Sequence, residues 1–182
     1  MIDPAGFTTA RMRAEPIGPQ HRDGLIALLA DPRVGETLGG VATPDLVDDQ
    51  IARMREGFAA DGFGIYAFLD RETGELVARG GVQRTTFDGA DEVELAWAVV
   101  SARWGQGLAT ELGAACVELA FGPLALPDVV AFTLPHNTAS RRVMEKLGMT
   151  YEKTAEYKVY GPHVLYRLRN TASARSTSSS VV

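Results

Sequence analysis

The feature that most constrains the fold is a change of hydrophobic period between residues 92 and 110. The run EVELAWAVV, at 92–100, is apolar enough for a buried strand, and from Leu108 the apolar residues recur with the spacing of one helix face. The junction between the two reads RWGQGLATE and contains Gly105 and Gly107. Glycine in a helical turn costs about 1 kcal/mol relative to alanine. We therefore expect this backbone to need room that a side chain would fill.

The flanking sequence predicts a mixed α/β domain. Strands are expected at residues 11–17, 64–70, 75–85, 92–100, 128–134, 149–160 and 163–169. Helices are expected between them, at residues 20–30, 44–61, 108–121 and 138–147. This order describes an antiparallel meander that leads into a βαβ unit. We therefore expect a mostly antiparallel central sheet of about seven strands flanked by about four helices.

Capping residues mark the boundaries of two of these helices. Thr43 followed by Pro44 is a typical pair for an N-cap and a first helical position. Asn137 is the expected N-cap of the last helix, and Gly148 has the position of a left-handed C-terminal cap. A spacing of four predicts a buried face on that helix formed by Ala139, Val143 and Leu147.

Composition restricts the function classes. The net charge of −5 disfavours a nucleic-acid surface and is compatible with a cationic substrate. The single cysteine, Cys116, cannot form an internal disulfide and is expected in the core. No apolar run approaches the roughly 20 residues of a membrane helix, and the N-terminus lacks the apolar segment of a signal peptide. We expect a cytoplasmic protein with one domain over residues 1–170 and a disordered, Ser/Thr-rich tail over 171–182.

The glycine junction predicts either an anion site or a tight turn. The first turn of a helix presents unpaired N–H groups and the positive end of the helix dipole, where a pyrophosphate binds if no side chain blocks its approach. Gly105 and Gly107 remove two Cβ atoms from that approach. The same glycines would also suit a tight strand-to-helix turn without a ligand. A dinucleotide-binding fingerprint is disfavoured because G-x-G-x-A stands in place of G-x-G-x-x-G and follows a meander.

Two segments, VELAWAVVSARWGQGLATE and NTASRRVMEKLGM, resemble the GNAT superfamily of acyl-CoA-dependent N-acetyltransferases. The resemblance is strongest to the branch of the ribosomal-protein-alanine N-acetyltransferases, whose opening strand and helix are similar to TTARMRAEPIGPQHRDGLIAL, and it spans most of residues 8–169. The pyrophosphate loop of the superfamily reads Q/R-x-x-G-x-G/A. Trp104 takes its first position, Gly107 the fourth and Ala109 the sixth, and tryptophan at the first position is typical of this branch.

The resemblance implies acetyl-CoA as the co-substrate, without a metal. Its pyrophosphate would be held by backbone N–H groups of Gly105, Gln106, Gly107, Leu108, Ala109 and Thr110. Its pantetheine arm would lie like an added strand along the edge formed by Trp97, Ala98 and Val99. Asn137 matches an asparagine that contacts the arm from the other side, and it can serve as a helix cap at the same time.

Glu94 is the candidate general base. At neutral pH less than about 0.1% of a lysine-type amine is neutral, so a base within the complex assists the attack of the amine. Alternation along the strand puts Glu94 on one face with Ala96, Ala98 and Val100, where a merely solvated carboxylate is not expected. The alternative is a structural ion pair with an arginine. Glu92 shares the face but lies nearer the strand start, where solvation is expected.

The groups that would assist the thioester are less clear from the sequence. A backbone N–H near Val99 would polarise the carbonyl. Many GNAT enzymes have a tyrosine in the pattern Y-x-x-L-G, but here the sequence is M-E-K-L-G, and Met144 cannot donate a proton. Ser140, one helical turn earlier, matches a serine of this branch and could hydrogen-bond the departing sulfur. Alternatively, Ser140 is a first-turn helix residue without a catalytic role.

Histidines and aromatic residues are weaker candidates. His21, His136 and His163 lack the spacing of metal ligands. Trp97 and Tyr66 could form walls of an acceptor pocket, although aromatic residues in strands usually pack in the core.

The sequence thus predicts a GNAT-fold N-acetyltransferase that moves an acetyl group to a primary amine by direct attack in a ternary complex. The acceptor is a protein N-terminus or a small-molecule amine, and its specificity is expected to depend on residues 31–45, the two-helix region and residues 153–163. The alternative is a non-catalytic acyl-CoA-binding module, which the missing tyrosine favours. No nucleic-acid or membrane partner is expected, and a homodimer is left open.

Overall fold

The structure, a computed structural model, describes residues 2–171. Its helices are α1 Arg22–Leu29, α2 Pro32–Gly35, α3 Pro44–Asp61, α4 Leu108–Phe121 and α5 Thr138–Lys146. Its strands are β1 Phe7–Thr8, β2 Met12–Pro16, β3 Ile65–Asp70, β4 Leu76–Phe87, β5 Ala90–Val99, β6 Asp128–Thr133, β7 Thr150–Glu156 and β8 Pro162–Arg169. The tail predicted to be disordered lies outside the described residues, apart from residue 171.

All eight strands of the described range form one sheet in the order β1-β2-β3-β4-β5-β6-β8-β7. The neighbours are antiparallel except β5 and β6, which are parallel. This confirms the mixed, mostly antiparallel architecture, with one more strand and one more helix than expected. The extra elements are the two-residue β1 and the single turn α2, both too short to produce a hydrophobic period.

Helices cover both faces of the sheet, and strand alternation sends side chains to each. On one face, α4 buries Leu112, Cys116 and Leu119 against strand residues that include Leu95 and Val99. On the other face, α1, α2 and α3 bury apolar side chains against Ile65, Ala67 and Ala98. Cys116 is therefore a core residue, as predicted, and burial raises the pKa of its thiol to about 12.

The predicted caps are present. The Thr43 hydroxyl accepts a hydrogen bond from the N–H of Leu46 at the start of α3. The Asn137 side chain caps α5 by accepting from the N–H of Ser140 at 3.1 Å. Gly148 has a φ of 81°, which suits the left-handed position after a helix.

The predicted buried face of α5 is wrong. Met144 is the buried residue of this helix, with 1% of its surface exposed, whereas Ala139 is exposed and Val143 and Leu147 are half-buried. Met144 packs in the same core cluster as Leu112 and Cys116. Residues spaced by four form one row along the helix surface. The side of α5 that packs against α4 and the sheet is centred on Met144, which lies next to that row rather than in it.

The hairpin between β4 and β5 is longer than the sequence indicated. Its strands continue to Phe87 and from Ala90, and the turn is formed by Asp88 and Gly89. Both turn residues have positive φ, at 52° and 76°. This is the backbone of a two-residue hairpin turn, for which Asp-Gly is a favoured sequence.

Candidate active site

A cleft opens between the parallel strands β5 and β6. Their pairing is confined to Glu94 opposite Val130, and both strands then continue, to Val99 and Thr133, without further paired residues. The connection between them runs through α4, so the first turn of that helix lies beyond the carboxyl end of β5. Ligands of open α/β sheets bind at such carboxyl ends.

The edge of β5 that borders the cleft presents free backbone groups. Val100 donates its N–H to the carbonyl of Val77 in β4 at 2.9 Å. Every second residue before Val100 on β5 therefore directs its backbone N–H and C=O to β4. Alternation turns the N–H and C=O of Trp97 and Val99 towards β6. The indole Nε1 of Trp104 donates to the Val99 carbonyl at 2.8 Å. The loop tryptophan is therefore fastened to the end of this edge.

The glycine junction forms an open turn at the N-terminus of α4. Gly105 and Gly107 have φ of 74° and 80°, and Gly107 is the N-cap of the helix. Among residues 2–171, and leaving aside the chain neighbours, a Cβ at Gly105 would meet no atom within 4 Å, and one at Gly107 would meet only Arg11 Nη2, at 3.7 Å. The two glycines are needed for their left-handed backbone, and the space beside them in the described structure is free of protein atoms.

Two arginines not identified from the sequence flank this loop. Arg11 donates from Nη1 to the Gln106 carbonyl at 2.8 Å and pairs through Nε with Glu111 at 2.7 Å. Arg103 donates to the Gln106 side chain at 3.0 Å and pairs with Asp70 at 2.8 Å. Arg11 comes from the β1–β2 turn, far away in sequence, so no local pattern marks it. Arg103 directly precedes the loop in the sequence, so its position there could have suggested that it contacts the loop.

The Glu94 side chain lies on the face of the sheet that α1 and α3 cover, and 9% of the surface of this residue is exposed. Its cross-strand partner Gln83 donates from Nε2 to Glu94 Oε2 at 2.8 Å. Burial raises the pKa of Glu94 to about 7, although the Gln83 hydrogen bond and the charges of Arg79 and Lys158 act in the opposite direction. This carboxylate therefore titrates near neutral pH.

The second carboxylate oxygen of Glu94 is accessible. Among the described residues, Gln83 supplies the one hydrogen bond to this side chain, and it goes to Oε2. In the same part of the chain, no fully buried side-chain polar atom lacks a hydrogen-bond partner. Oε1 must therefore contact solvent.

Glu92 does not behave as expected. Instead of being solvated, it forms a two-pronged ion pair with Arg167 of β8, at 2.7 and 3.0 Å. Arg167 also pairs with Asp128 and Glu152, and its side chain is 14% exposed. The arginine comes from the strand beyond β6, a long-range neighbour that the local pattern of β5 could not reveal. The structural ion pair considered for Glu94 thus belongs to Glu92.

The first turn of α5 lies on the other side of the cleft. Asn137 accepts from Ser140 N–H and also donates from Nδ2 to the hydroxyl of Thr133, at the end of β6, at 2.9 Å. Ser140 is half-buried, and its hydroxyl makes no hydrogen bond within residues 2–171. Met144 is enclosed in the core, as described above. The hydroxyl of Ser140 is therefore available in this turn, whereas the Met144 side chain is not.

Two of the segments expected to govern acceptor specificity, residues 31–45 and 153–163, contact each other. The ring of Tyr160, in the β7–β8 loop, lies against Gly39 of the loop between α2 and α3, where a Cβ would approach it to 2.6 Å. Tyr157 stacks on Tyr160 and packs against Phe132 of β6. Tyr66 is not part of this wall. It is fully buried on the α4 face, and its hydroxyl donates to the Pro4 carbonyl at 2.8 Å.

Two further observations concern other kinds of site. In the part of the chain that the structure describes, no group of three or more His, Cys, Asp or Glu side chains could hold a metal ion. None of the helices described here combines the length and the apolar character needed to cross a membrane.

The comparisons with known proteins agree with this geometry. Residues 11–150 match the model of the acetyltransferase (GNAT) domain family. The chain is 30% identical over 154 residues to the FsC-acetyl coenzyme A-N(2)-transacetylase of Aspergillus fumigatus, covering 80% of this chain and 65% of that protein. The chain spans 55% and 65% of the lengths of two curated relatives that it matches.

Solved structures show the same fold. An acetyltransferase from Agrobacterium tumefaciens superposes with a TM-score of 0.79 at 23% identity, covering 93% of this chain and 96% of the other. The ribosomal-protein-S5-alanine acetyltransferase from Vibrio fischeri superposes with a TM-score of 0.76 at 15% identity, covering 91% and 97%. At these identities the likeness establishes the fold.

Proposed function

The chain belongs to the GNAT acetyltransferase family, and from this premise we propose that it transfers an acetyl group from acetyl-CoA to a primary amine. The observation that carries the proposal is Glu94, a carboxylate with a pKa near 7 and one free oxygen, on the strand whose open edge borders the cleft. The Aspergillus relative, named as an acetyl coenzyme A-N(2)-transacetylase, supports both the acetyl donor and a nitrogen acceptor.

The donor would bind along β5 and across the glycine loop. The free space beside Gly105 and Gly107 fits a pyrophosphate, with donors from the backbone between Gly105 and Thr110. The backbone groups of Trp97 and the N–H of Val99 fit an extended amide-bearing arm, whereas the N–H and C=O of Ala98 are directed to β4. Asn137, whose side chain already caps α5 and bonds to Thr133, borders the arm from the opposite side. Bound acetyl-CoA would supply the thioester.

Glu94 would take the proton of the acceptor. An amine enters the cleft mostly as ammonium, and Glu94 Oε1, directly or through a water molecule, accepts one proton from it. The neutral nitrogen then forms a bond to the thioester carbonyl carbon, and the carbon–sulfur bond breaks. The nitrogen loses its second proton at this point, and that proton passes through Ser140 or solvent to the departing sulfur, which leaves an amide and a free thiol. The Val99 N–H, turned towards the cleft, would stabilise the negative charge that develops on the carbonyl oxygen.

Ser140 would assist the departing sulfur. Its hydroxyl has no partner among the described residues, and it lies in the same turn as Asn137. A thiol has a pKa of about 8.5, so its thiolate leaves readily and needs only a weak donor. Substitution of tyrosine by a core methionine at position 144 is compatible with this modest requirement.

The experiment that tests the proposal is a free-thiol release assay with acetyl-CoA and a panel of primary amines. The panel contains N-terminal peptides, polyamines, amino acids and aminoglycosides. We expect thiol release that depends on at least one amine, together with an acetylated amine detected by mass spectrometry. Tight binding of acetyl-CoA without release for any amine would instead favour a non-catalytic acyl-CoA-binding module.

A further inference from the structure

An arginine that has no ion-pair partner among the described residues lies on the same sheet face as Glu94. Arg79 is on β4 opposite Ala98, four residues from the position opposite Glu94. Arg79 and Gln83 are four residues apart on β4, so their side chains point to the same face of the sheet, the one covered by α1 and α3. The two charged side chains, Arg79 and Glu94, therefore lie on the same face of the sheet.

The guanidinium of Arg79 is poorly neutralised by the protein. In residues 2–171 its hydrogen bond is to the uncharged amide of Gln50 in α3, Nη1 to Oε1 at 3.0 Å. No carboxylate of the described chain lies within ion-pair distance of it. Burial lowers the pKa of Arg79 to about 10, with Glu94 acting in the opposite direction. Arginines that are removed from water are normally paired with an acid.

The unused donors of Arg79 point to accessible space. A guanidinium has five N–H donors, and Gln50 engages one nitrogen. Because no fully buried side-chain polar atom in the described residues lacks a hydrogen-bond partner, the remaining nitrogens must contact solvent. Arg79 is thus held by α3 at one nitrogen and open to solvent at the others, on the sheet face that also carries Glu94.

A second positive charge, that of Lys158, also acts on Glu94. Lys158, in the β7–β8 loop, lies with its Nζ 4.8 Å from the centre of the Tyr157 ring and contributes to the potential at Glu94. Glu94 thus experiences the positive charges of two groups, one on β4 and one in the β7–β8 loop. The remaining close partner, Gln83, is neutral. The surroundings of Glu94 thus combine one carboxylate, which can receive an ammonium, with the two positive charges of Arg79 and Lys158.

We propose, building on the acetyl transfer proposed above, that the acceptor carries a carboxylate a few bonds from its amine and that Arg79 binds this carboxylate. Glu94 receives the ammonium end, and the free donors of Arg79 engage the carboxylate oxygens in a two-pronged contact. The acceptor class is that of amino acids and of short peptides or conjugates with an acid near the reacting nitrogen. Arg79 is in this account a specificity-determining residue.

Matched pairs of acceptors test the proposal. The probes are glycine, β-alanine, 4-aminobutanoate and 6-aminohexanoate, each against its carboxamide, with thiol release from acetyl-CoA as the readout. We expect kcat/KM for at least one carboxylate to exceed that of its carboxamide tenfold or more. In Arg79→Met the loss on that carboxylate is expected to exceed the loss on the carboxamide at least tenfold. Arg79→Lys keeps the positive charge but loses the two-pronged geometry of the guanidinium. Its preference for the carboxylate over the carboxamide is expected to lie between the preferences of wild type and Arg79→Met.

Controls separate recognition from structure. Arg55→Met removes an exposed charge of α3 and is expected to retain the wild-type preference. Equal kcat/KM within every pair, or a preference that persists in Arg79→Met, would overturn the proposal. Equal losses on both members, with a shifted pH profile, would also overturn it, because they would make Arg79 a residue that only positions Glu94.

A binding measurement keeps this inference distinct from the proposed function. The same ω-amino acids are added, without acetyl-CoA, to wild type and Arg79→Met, and melting temperatures are recorded. If no amine is acetylated but the acids stabilise wild type and not the variant, the acetyl transfer fails and the anion site stands. If the acids stabilise neither protein, the anion site is refuted whatever the activity.

Discussion

Gln83 donates a 2.8 Å hydrogen bond to one carboxylate oxygen of Glu94, and the other oxygen of Glu94 remains in contact with solvent. The two residues are cross-strand partners on β4 and β5, so the sheet register itself fixes the carboxylate. Burial raises the pKa of Glu94 to about 7 in spite of this bond. The relationship leads to predictions for stability and for activity that can be checked separately.

The stability of the protein should depend on Glu94 between about pH 4.5 and pH 7. In the unfolded chain a glutamate titrates near its ordinary pKa of about 4.3, whereas in the folded protein Glu94 titrates near 7. The folded state therefore binds more protons in this window, and its free energy of unfolding falls as the pH rises. Urea titrations over the window are expected to show a smaller fall in Glu94→Gln. An identical pH dependence in both proteins would contradict the raised pKa.

Gly107→Val is expected to weaken acetyl-CoA binding at least tenfold, which corresponds to about 1.4 kcal/mol. The valine side chain enters the free space beside the first turn of α4, and it also strains a backbone with φ of 80°. Gly89→Val is the matched control, because Gly89 has φ of 76° and open space but lies in the β4–β5 turn. Calorimetry should show weakened binding in the first variant alone. Unchanged affinity in folded Gly107→Val would exclude the loop as the pyrophosphate site.

Arg167→Gln is expected to destabilise the fold by about 3–5 kcal/mol, because it leaves three neighbouring carboxylates without their cation. These carboxylates are Glu92, Asp128 and Glu152, and the arginine side chain is only 14% exposed. Acetyl-CoA affinity, measured at a temperature where the variant is folded, should stay within about twofold of wild type. A large loss of affinity without a loss of stability would show that the cluster belongs to the site.

Ser140→Ala is expected to lower turnover about tenfold with little change in melting temperature. The α5 cap is made by the Asn137 side chain and the backbone N–H of Ser140, and alanine keeps that N–H. Asn137→Ala is the contrasting variant, with an expected stability loss of about 1 kcal/mol. Full turnover in Ser140→Ala would leave solvent as the proton source for the thiolate.

Met144→Tyr tests whether a side chain at position 144 can reach the departing sulfur. Met144 is 1% exposed, so a larger ring is expected to overpack the region between α4, α5 and the sheet at a cost of about 1–3 kcal/mol. We therefore expect that it does not rescue Ser140→Ala unless the ring turns into the cleft. Rescue of turnover in the double variant would show that position 144 can reach the departing sulfur.

The sequence predicted most of the fold because its elements are bounded by local signals. Thr43-Pro44, Asn137 and Gly148 mark helix ends by short-range hydrogen bonds and backbone preferences, and each of them was confirmed. The change of period at residues 92–110 likewise reflects local geometry. Very short elements such as β1 and α2 carry too few residues for a period, so they were missed.

The candidate site was only partly predictable. Glu94 could be proposed from alternation along one strand, but its partner Gln83 follows from the register of a hairpin whose turn was not recognised. Arg11, Arg167 and Arg79 come from distant parts of the chain, and their partners are set by tertiary packing. For the same reason Glu92 and Glu94, two residues apart on one face, have different surroundings.

The measurement that tests the central claim most directly is the pH–rate profile of acetyl transfer by wild type and Glu94→Gln with one good acceptor. In wild type we expect kcat/KM to rise through about pH 7, where Glu94 loses its proton. In the variant we expect turnover to fall roughly 100-fold, with unchanged acetyl-CoA affinity and partial recovery at high pH, where more of the amine is neutral. A variant that keeps the wild-type rate and profile would contradict the assignment of Glu94 as the base.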